Sequence, residues 1–332
     1  MRRPLLPLLC LLIAAQACGD DDHETAADGG ADSGTSGKGG SGGKGGSGGK
    51  SGSGGKVFTG GQGGSGGSSA TETVTIRFKG KVGDEDLECG KQYAGQGKSK
   101  LAATPQDFRF YVEQVSLITS DGAEVPLQFD ERAPFQTKDV ALIDFTDRKG
   151  GCNSGGATVN TTITGRVPPG KYEGIAFVNG VPERLNHQNI VEGKPPLQDP
   201  SAYWGWASGY RFIMAGLTVD PSALPAPDPA AEGGASANGL NVVHIGAGGC
   251  TGGGSTGFNC SKPNRNRVRL SGFDAKSDTI LADLAKVFAD VDLADAVECH
   301  GPGPECEAPF AALGVGMESG AALDAQSVFR VE

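Results

Sequence analysis

Four histidines, two tryptophans and the cysteines are the residues of this chain whose types and spacing could do chemistry. Imidazole nitrogens move protons near neutral pH and ligate metals. His187 closes the segment Val181-Pro182-Glu183-Arg184-Leu185-Asn186-His187, in a loop that follows a strand and can present a side chain. His244 lies in a short apolar stretch and shares a face with Val242, whereas His300 sits between Cys299 and Gly301-Pro302, which makes it a turn residue. His23 lies beside a glycine-rich segment and reads as inert. Taken singly, each histidine fits a structural or surface role more readily than a ligand role. Both tryptophans fall in Tyr203-Trp204-Gly205-Trp206, followed by Gly209-Tyr210-Arg211-Phe212. Side chains alternate along an extended segment, which puts Trp204 and Trp206 on one face, with Gly205 leaving room between them. Met214 could add a soft thioether, although a core methionine is the plainer reading.

The motifs of autonomous catalysis are missing. There is no Ser/His/Asp arrangement in a recognisable context, no P-loop, no H-E-x-x-H and no C-x-x-C-H for haem attachment. G-x-S-x-G matches occur only in low-complexity sequence, without the strand and helix that a nucleophile elbow needs. Carboxylates are plentiful, but no pair stands out as acid and base. The chain therefore reads as a non-enzyme. Its net charge of −10 offers no basic stripe for phosphates, which argues against a nucleic-acid partner.

Export sets the context for the cysteines. Arg2 and Arg3 precede an apolar run from Leu5 to Ala15, too short to span a bilayer and flanked like a secretory signal. The sequence Ala15-Gln16-Ala17-Cys18-Gly19 resembles a bacterial lipobox, so residues 1–17 are expected to be a signal peptide and Cys18 the lipidated first residue. Ordinary cleavage near Ala17 is the alternative. Cys89, Cys152, Cys250, Cys260, Cys299 and Cys306 remain, an even number that reads as disulfides in an exported chain. Six cysteines allow fifteen connectivities. The simplest joins the near neighbours, Cys250 with Cys260 and Cys299 with Cys306, leaving Cys89 for Cys152. Zinc is the rival reading, though no C-x-x-C pair occurs.

The elements that must position these residues follow from composition and periodicity. Residues 18–70 make a lipid anchor and a linker rich in Gly, Ser and Lys, unable to bury apolar surface. About 50 such residues reach roughly 40 Å, enough to hold a domain clear of a membrane. The folded part is expected over 71–332. Val74, Ile76 and Phe78 alternate with polar residues, the period of a half-buried strand. Phe108, Phe110 and Val112 repeat it, and the parity then flips to Val115 and Leu117, which predicts a β-bulge. Further strands are expected at 140–145, 172–178, 210–219, 241–245, 267–270 and 328–331. Asp121-Gly122, Pro126 and Pro168-Pro169-Gly170 mark turns. Ile280, Leu281, Leu284, Val287, Phe288 and Val291 fall at helical spacing, with Ser277 or Asp278 as cap. A second short helix is expected around 305–313. The proline-rich stretch opening at Pro221 should be a long loop to Ala237. Strands outnumber helices, which predicts an all-β fold: a β-sandwich-like domain with long loops and one or two short C-terminal helices.

Several segments occur together in an order that resembles a known family. They are Asp107-Phe108-Arg109-Phe110-Tyr111-Val112, Val140 through Phe145, Gly180 through His187, the aromatic block Tyr203 to Phe212, and His244 through Cys250. This set is similar to the MbnP-like proteins, the four-Cys-motif members of the metallo-mystery pair system. The resemblance covers nearly all of the folded part. It implies a periplasmic or surface copper-binding protein paired with a MauG-like di-haem cytochrome c peroxidase, which oxidises a tryptophan of its partner to kynurenine. It further implies that His187 and His244 are metal ligands, that Trp204 or Trp206 is the modified residue, and that Cys250, Cys260, Cys299 and Cys306 are the four-Cys motif. One departure is visible. Where the family reads H-L-G-S-T-G-C, this chain has His244-Ile245-Gly246-Ala247-Gly248-Gly249-Cys250, without the two hydroxyls. Imidazole suits copper, and opening an indole creates an aromatic amine that can donate to it. The expectation is thus a copper protein lipid-anchored in the cell envelope. A non-metal envelope module binding a small ligand or protein through its aromatic loop is the alternative, and an autonomous enzyme ranks last.

Overall fold

A computed structural model describes residues 70–156, 158–224, 239–253 and 257–332. The expected signal peptide, Cys18, His23 and the linker to residue 69 lie outside the described residues, as does the proline-rich loop from 225 to 238. Among the described residues, no helix is long and apolar enough to cross a membrane.

The first strands are β1 Glu72–Val82, β2 Glu85–Asp86, β3 Tyr93–Gln96, β4 Leu101–Ile118, β5 Glu124–Pro126 and β6 Gln128–Phe129. They are followed by β7 Ala141–Asp144, β8 Thr162–Val167, β9 Gly174–Asn179, helix α1 Glu183–Asn186, β10 Tyr203–Gly205 and β11 Gly209–Val219. Next come β12 Leu240–Gly246, β13 Gly248–Gly252, β14 Phe258–Lys262, β15 Asn266–Ser271 and β16 Thr279–Asp283. The chain ends with α2 Leu284–Val287, β17 Glu298–Cys299, α3 Glu307–Leu313 and β18 Phe329–Val331.

The architecture is the expected all-β sandwich. One sheet has the order β18-β16-β1-β8-β6, and the larger runs β15-β9-β4-β11-β12-β17. Alternation decides which side chains meet between them. Phe78 of β1 and Phe329 of β18 come from the smaller sheet, and Phe110 of β4 and Phe177 of β9 from the larger. The four interlock edge to face, with ring centroids 5.2–5.9 Å apart, a geometry aromatic quadrupoles favour. The parity flip in β4 is indeed a bulge: the register against β9 shifts between Glu113 and Ser116, with Gln114 at φ +50°. Val112, Val115 and Leu117 all remain buried as a result.

The three disulfides join Cys89 with Cys152, Cys250 with Cys260, and Cys299 with Cys306, the simplest of the fifteen connectivities.

One expected helix is largely a strand. The apolar stretch from Ile280 is not a helix throughout. Thr279–Asp283 forms β16, parallel to β1 and antiparallel to β18. Ile280, Leu281 and Ala282 are all buried, and a continuous apolar run carries no period that separates a covered strand from a helix. Only Leu284–Val287 is helical, and its cap is Asp283, whose carboxylate accepts from Ala285 N, rather than Ser277 or Asp278. The helix at the second site, α3, forms as expected.

The outer face of the larger sheet positions the site. Asp107, Arg109 and Tyr111 of β4 point there, yet all three are buried. The cover is the segment between β9 and β11. Tyr111 Oη donates to Pro196 O, Tyr210 Oη to Leu197 O and Tyr203 Oη to Gln188 O. Arg109 is 1% exposed and holds Asp107 on its own strand and Asp199 of the cover, at 2.7 and 2.8 Å. A buried guanidinium is tolerable only when its N–H groups find such partners.

Candidate metal centre

The central strand of the site is β12. Asn241, Val243 and Ile245 turn into the core, and Val242, His244 and Gly246 take the opposite face by alternation. Asn241 also fixes what comes next to it. Its side-chain amide donates to Leu293 O at 3.1 Å, and its oxygen accepts from Val297 N at 2.9 Å. These bonds hold the preceding turn so that β17 pairs in parallel with β12, Val243 opposite Cys299. The Cys299–Cys306 disulfide ties the far side of β17 to the entrance of α3, and both cysteines are buried.

One residue further along that register, His300 meets His244. Their Nδ1 atoms are 3.2 Å apart and their ring centroids 4.9 Å. Across the sheet the same row continues: His244 is opposite Met214 of β11, and Met214 is opposite Arg109 of β4. Met214 is fully buried in the hydrophobic core. Burial pushes His244 down to about 3, aided by the positive charges of Arg211, His300 and Arg109. His300 is also lowered by burial, against the pull of Glu298. Burial thus favours the uncharged form of both rings, the form in which an imidazole can ligate a cation.

Trp204 reaches this face. A Cβ built on Gly246 would lie 2.6 Å from the Trp204 ring, so the indole rests on the bare backbone two residues beyond His244, on the same side of β12. Arg211 lies over the ring at 5.5 Å from its centroid and donates to Ser201 O at 2.7 Å. The tether that holds Trp204 is traceable. Arg109 binds Asp199, and Asp199 caps the 3-10 turn Pro200–Ala202, whose next residues are β10. The expectation that both tryptophans share one face is not met, because the strand ends at Gly205 with φ +142° and a turn follows. Trp206 is 61% exposed and packs edge-on against Phe258.

His187 stands elsewhere. It ends α1, its Nδ1 bonds to Trp206 O at 2.8 Å, and its ring stacks on Phe258 at 4.2 Å. Its Nε2 lies 3.1 Å from Asn186 Nδ2 and 3.2 Å from Cys260 Sγ. No hydrogen bond or ring contact joins His187 to His244 among the described residues. Among them one cluster of three metal-binding residue types is found, His187 with Cys250 and Cys260. The two sulfurs are bonded to each other, which leaves no thiolate to ligate.

The donor set at His244 suits a soft or borderline cation. Metal–imidazole bonds run about 2.0–2.1 Å, so two nitrogens 3.2 Å apart can share one ion. Two imidazole nitrogens match a borderline cation such as copper better than a hard cation. His300 was the ligand-type residue the sequence hid, because its partner is reached only through the two-residue strand β17.

The MbnP family model matches residues 71–305. The chain is similar to the solved structure of MbnP from Methylosinus trichosporium, with 28% sequence identity and a TM-score of 0.67 over 79% of this chain and 98% of that one. No curated protein matches. With the family model spanning well over half of the sequence and the sandwich shared with a solved relative, this chain belongs to the MbnP family.

Proposed function

We propose that this chain is a copper-binding protein of the cell envelope and not an enzyme, with one copper ion carried as cargo between His244 and His300. The observation that carries the reading is the 3.2 Å separation of their Nδ1 atoms on the face where Trp204 lies. Trp204 is the residue altered to kynurenine. The altered ring supplies an aromatic amine as a third nitrogen donor, while Trp206 faces away from the ion.

A MauG-like di-haem peroxidase performs the alteration, since this chain has no haem-attachment motif of its own. The balance is simple. Two equivalents of peroxide insert two oxygen atoms across the indole C2–C3 bond and leave as water. Hydrolysis of the resulting formyl amide then releases formate, so the residue loses one carbon and gains one oxygen overall. The lipidated Cys18 and the following glycine-rich linker would hold the domain near a membrane while leaving it free to meet that partner.

Metal analysis and peptide mass mapping of protein purified from its own host test the reading. The expected result is about one copper per chain with the carbon-for-oxygen change on Trp204. An intact indole at both 204 and 206 in copper-loaded protein would refute the maturation step.

The exposure of Trp206 and of Val191, 61% and 78%, favours one second reading: a metal-free module that binds its ligand through the aromatic loop. In that case His244→Ala and His300→Ala leave binding intact and Trp206→Ala abolishes it.

A further inference from the structure

The second histidine cluster carries its own chemistry. His187 sits where an antiparallel hairpin, β13 with β14, brings Cys250 directly opposite Cys260. The ligand atoms of all three residues lie within 4.8 Å of one another. Two features go beyond proximity. His187 Nδ1 is 2.8 Å from the carbonyl oxygen of Trp206, and only an N–H can bond a carbonyl, so the proton is on Nδ1. The unprotonated Nε2 then accepts from Asn186 Nδ2 at 3.1 Å and lies 3.2 Å from Cys260 Sγ, so a cation bound there displaces the Asn186 hydrogen bond. Fixing one ring nitrogen by a carbonyl so that the other is presented as a ligand is the arrangement protein metal sites use. Second, this disulfide differs from the one beside His300. Cys299 and Cys306 are fully buried, whereas Cys250 and Cys260 are only half-buried on a two-stranded hairpin, open to a small thiol.

We propose that Cys250, Cys260 and His187 form a redox-gated site for a soft or borderline divalent cation, separate from the copper site and closed while the disulfide is intact. The opening reaction is thiol–disulfide exchange with a dithiol reductant. A thiolate of the reductant attacks one sulfur, the Cys250–Cys260 bond breaks, and the mixed disulfide is resolved by the second thiol. Two S–H bonds form on this chain while the reductant closes to its own disulfide, a transfer of two electrons and two protons. The cation then displaces the two thiol protons. Cys250 and Cys260 are directly opposed with their Cα atoms 3.9 Å apart, close enough for two thiolates to hold one ion at about 2.3 Å each. His187 supplies the third donor, and one coordination position stays open.

The test uses the full chain, oxidised or reduced by a dithiol and then desalted without air, titrated with cadmium. Differential alkylation followed by mass mapping identifies which cysteines opened. Reduction should open Cys250 and Cys260 first and add about one cadmium per chain, with thiolate-to-metal charge-transfer absorption. His187→Ala should weaken that cadmium at least about tenfold, and His244→Ala should leave it unchanged. Equal cadmium uptake by oxidised and reduced protein would overturn the proposal. So would opening at another cysteine pair, or unaltered affinity in His187→Ala. Loss of cadmium in His244→Ala would mean that the metal had gone to the copper site, and that too would overturn it.

Discussion

The Nδ1 atoms of His244 and His300 face each other at 3.2 Å across 56 positions of sequence. Three features of the fold produce this approach. Asn241 pins the turn before β17, β17 pairs in parallel with β12, and the Cys299–Cys306 disulfide secures the chain on the far side of His300. Replacing either histidine by alanine should weaken copper at least about tenfold, some 1.4 kcal/mol, while leaving the fold intact. Competition against a copper chelator reads the affinity, and unchanged binding in His300→Ala would remove that residue from the site.

Gly246 should be as sensitive as a ligand, although it has no donor atom. A Cβ there would clash with Tyr210 O and with the Trp204 ring at 2.6 Å, so both must give way. Gly246→Ala is expected to cost about 1–3 kcal/mol of stability and to lower both the oxidation of Trp204 and copper loading. Urea denaturation and peptide mapping of protein co-expressed with its peroxidase check the two effects separately.

Arg109 links the sheet to the segment bearing Trp204. Its removal strands Asp107 without its cation and releases Asp199 from the cover. Arg109→Met should therefore destabilise the domain by about 3–5 kcal/mol, whereas Trp206→Ala, at an exposed position, should stay within about 0.5 kcal/mol. Chemical denaturation of the two variants side by side measures the contrast, and similar losses would count against the anchoring role.

The metal-free protein should also lose stability on the acid side. His244 is held down to about 3 in the folded state by burial and the nearby positive charges, against about 6.5 in an unfolded chain. Between those values the unfolded state binds the extra proton, so stability is complete above about pH 6.5 and falls as pH drops toward 3. His244→Gln should flatten that fall. Thermal melts of both proteins across this range show it, and parallel profiles would mean that His244 is charged in the folded state.

Much of this was legible in the sequence, and the failures have physical reasons. Alternation at Val74, Ile76 and Phe78 reports a one-sided strand because one face of β1 packs on the core. The parity change between Val112 and Val115 reports a bulge because burial has to be recovered on the same face. Thr279–Asp283 misleads because a strand covered on both sides loses its alternation. The helix α1 has four residues and no side-chain cap, too little to leave a pattern. His300 stayed hidden because its role depends on pairing between β17 and β12, a contact no local window contains. Conversely, His187 and His244 look alike in sequence but occupy different neighbourhoods, one on the Cys250–Cys260 hairpin and the other beside Trp204.

Crystals of protein purified from its own host, measured with X-rays at the copper absorption edge, give the most direct test of the copper site. The predicted anomalous peak lies between the Nδ1 atoms of His244 and His300 and beside an opened ring at residue 204. A copper peak at His187, or an ion at His244 next to an intact Trp204 indole, would contradict the account.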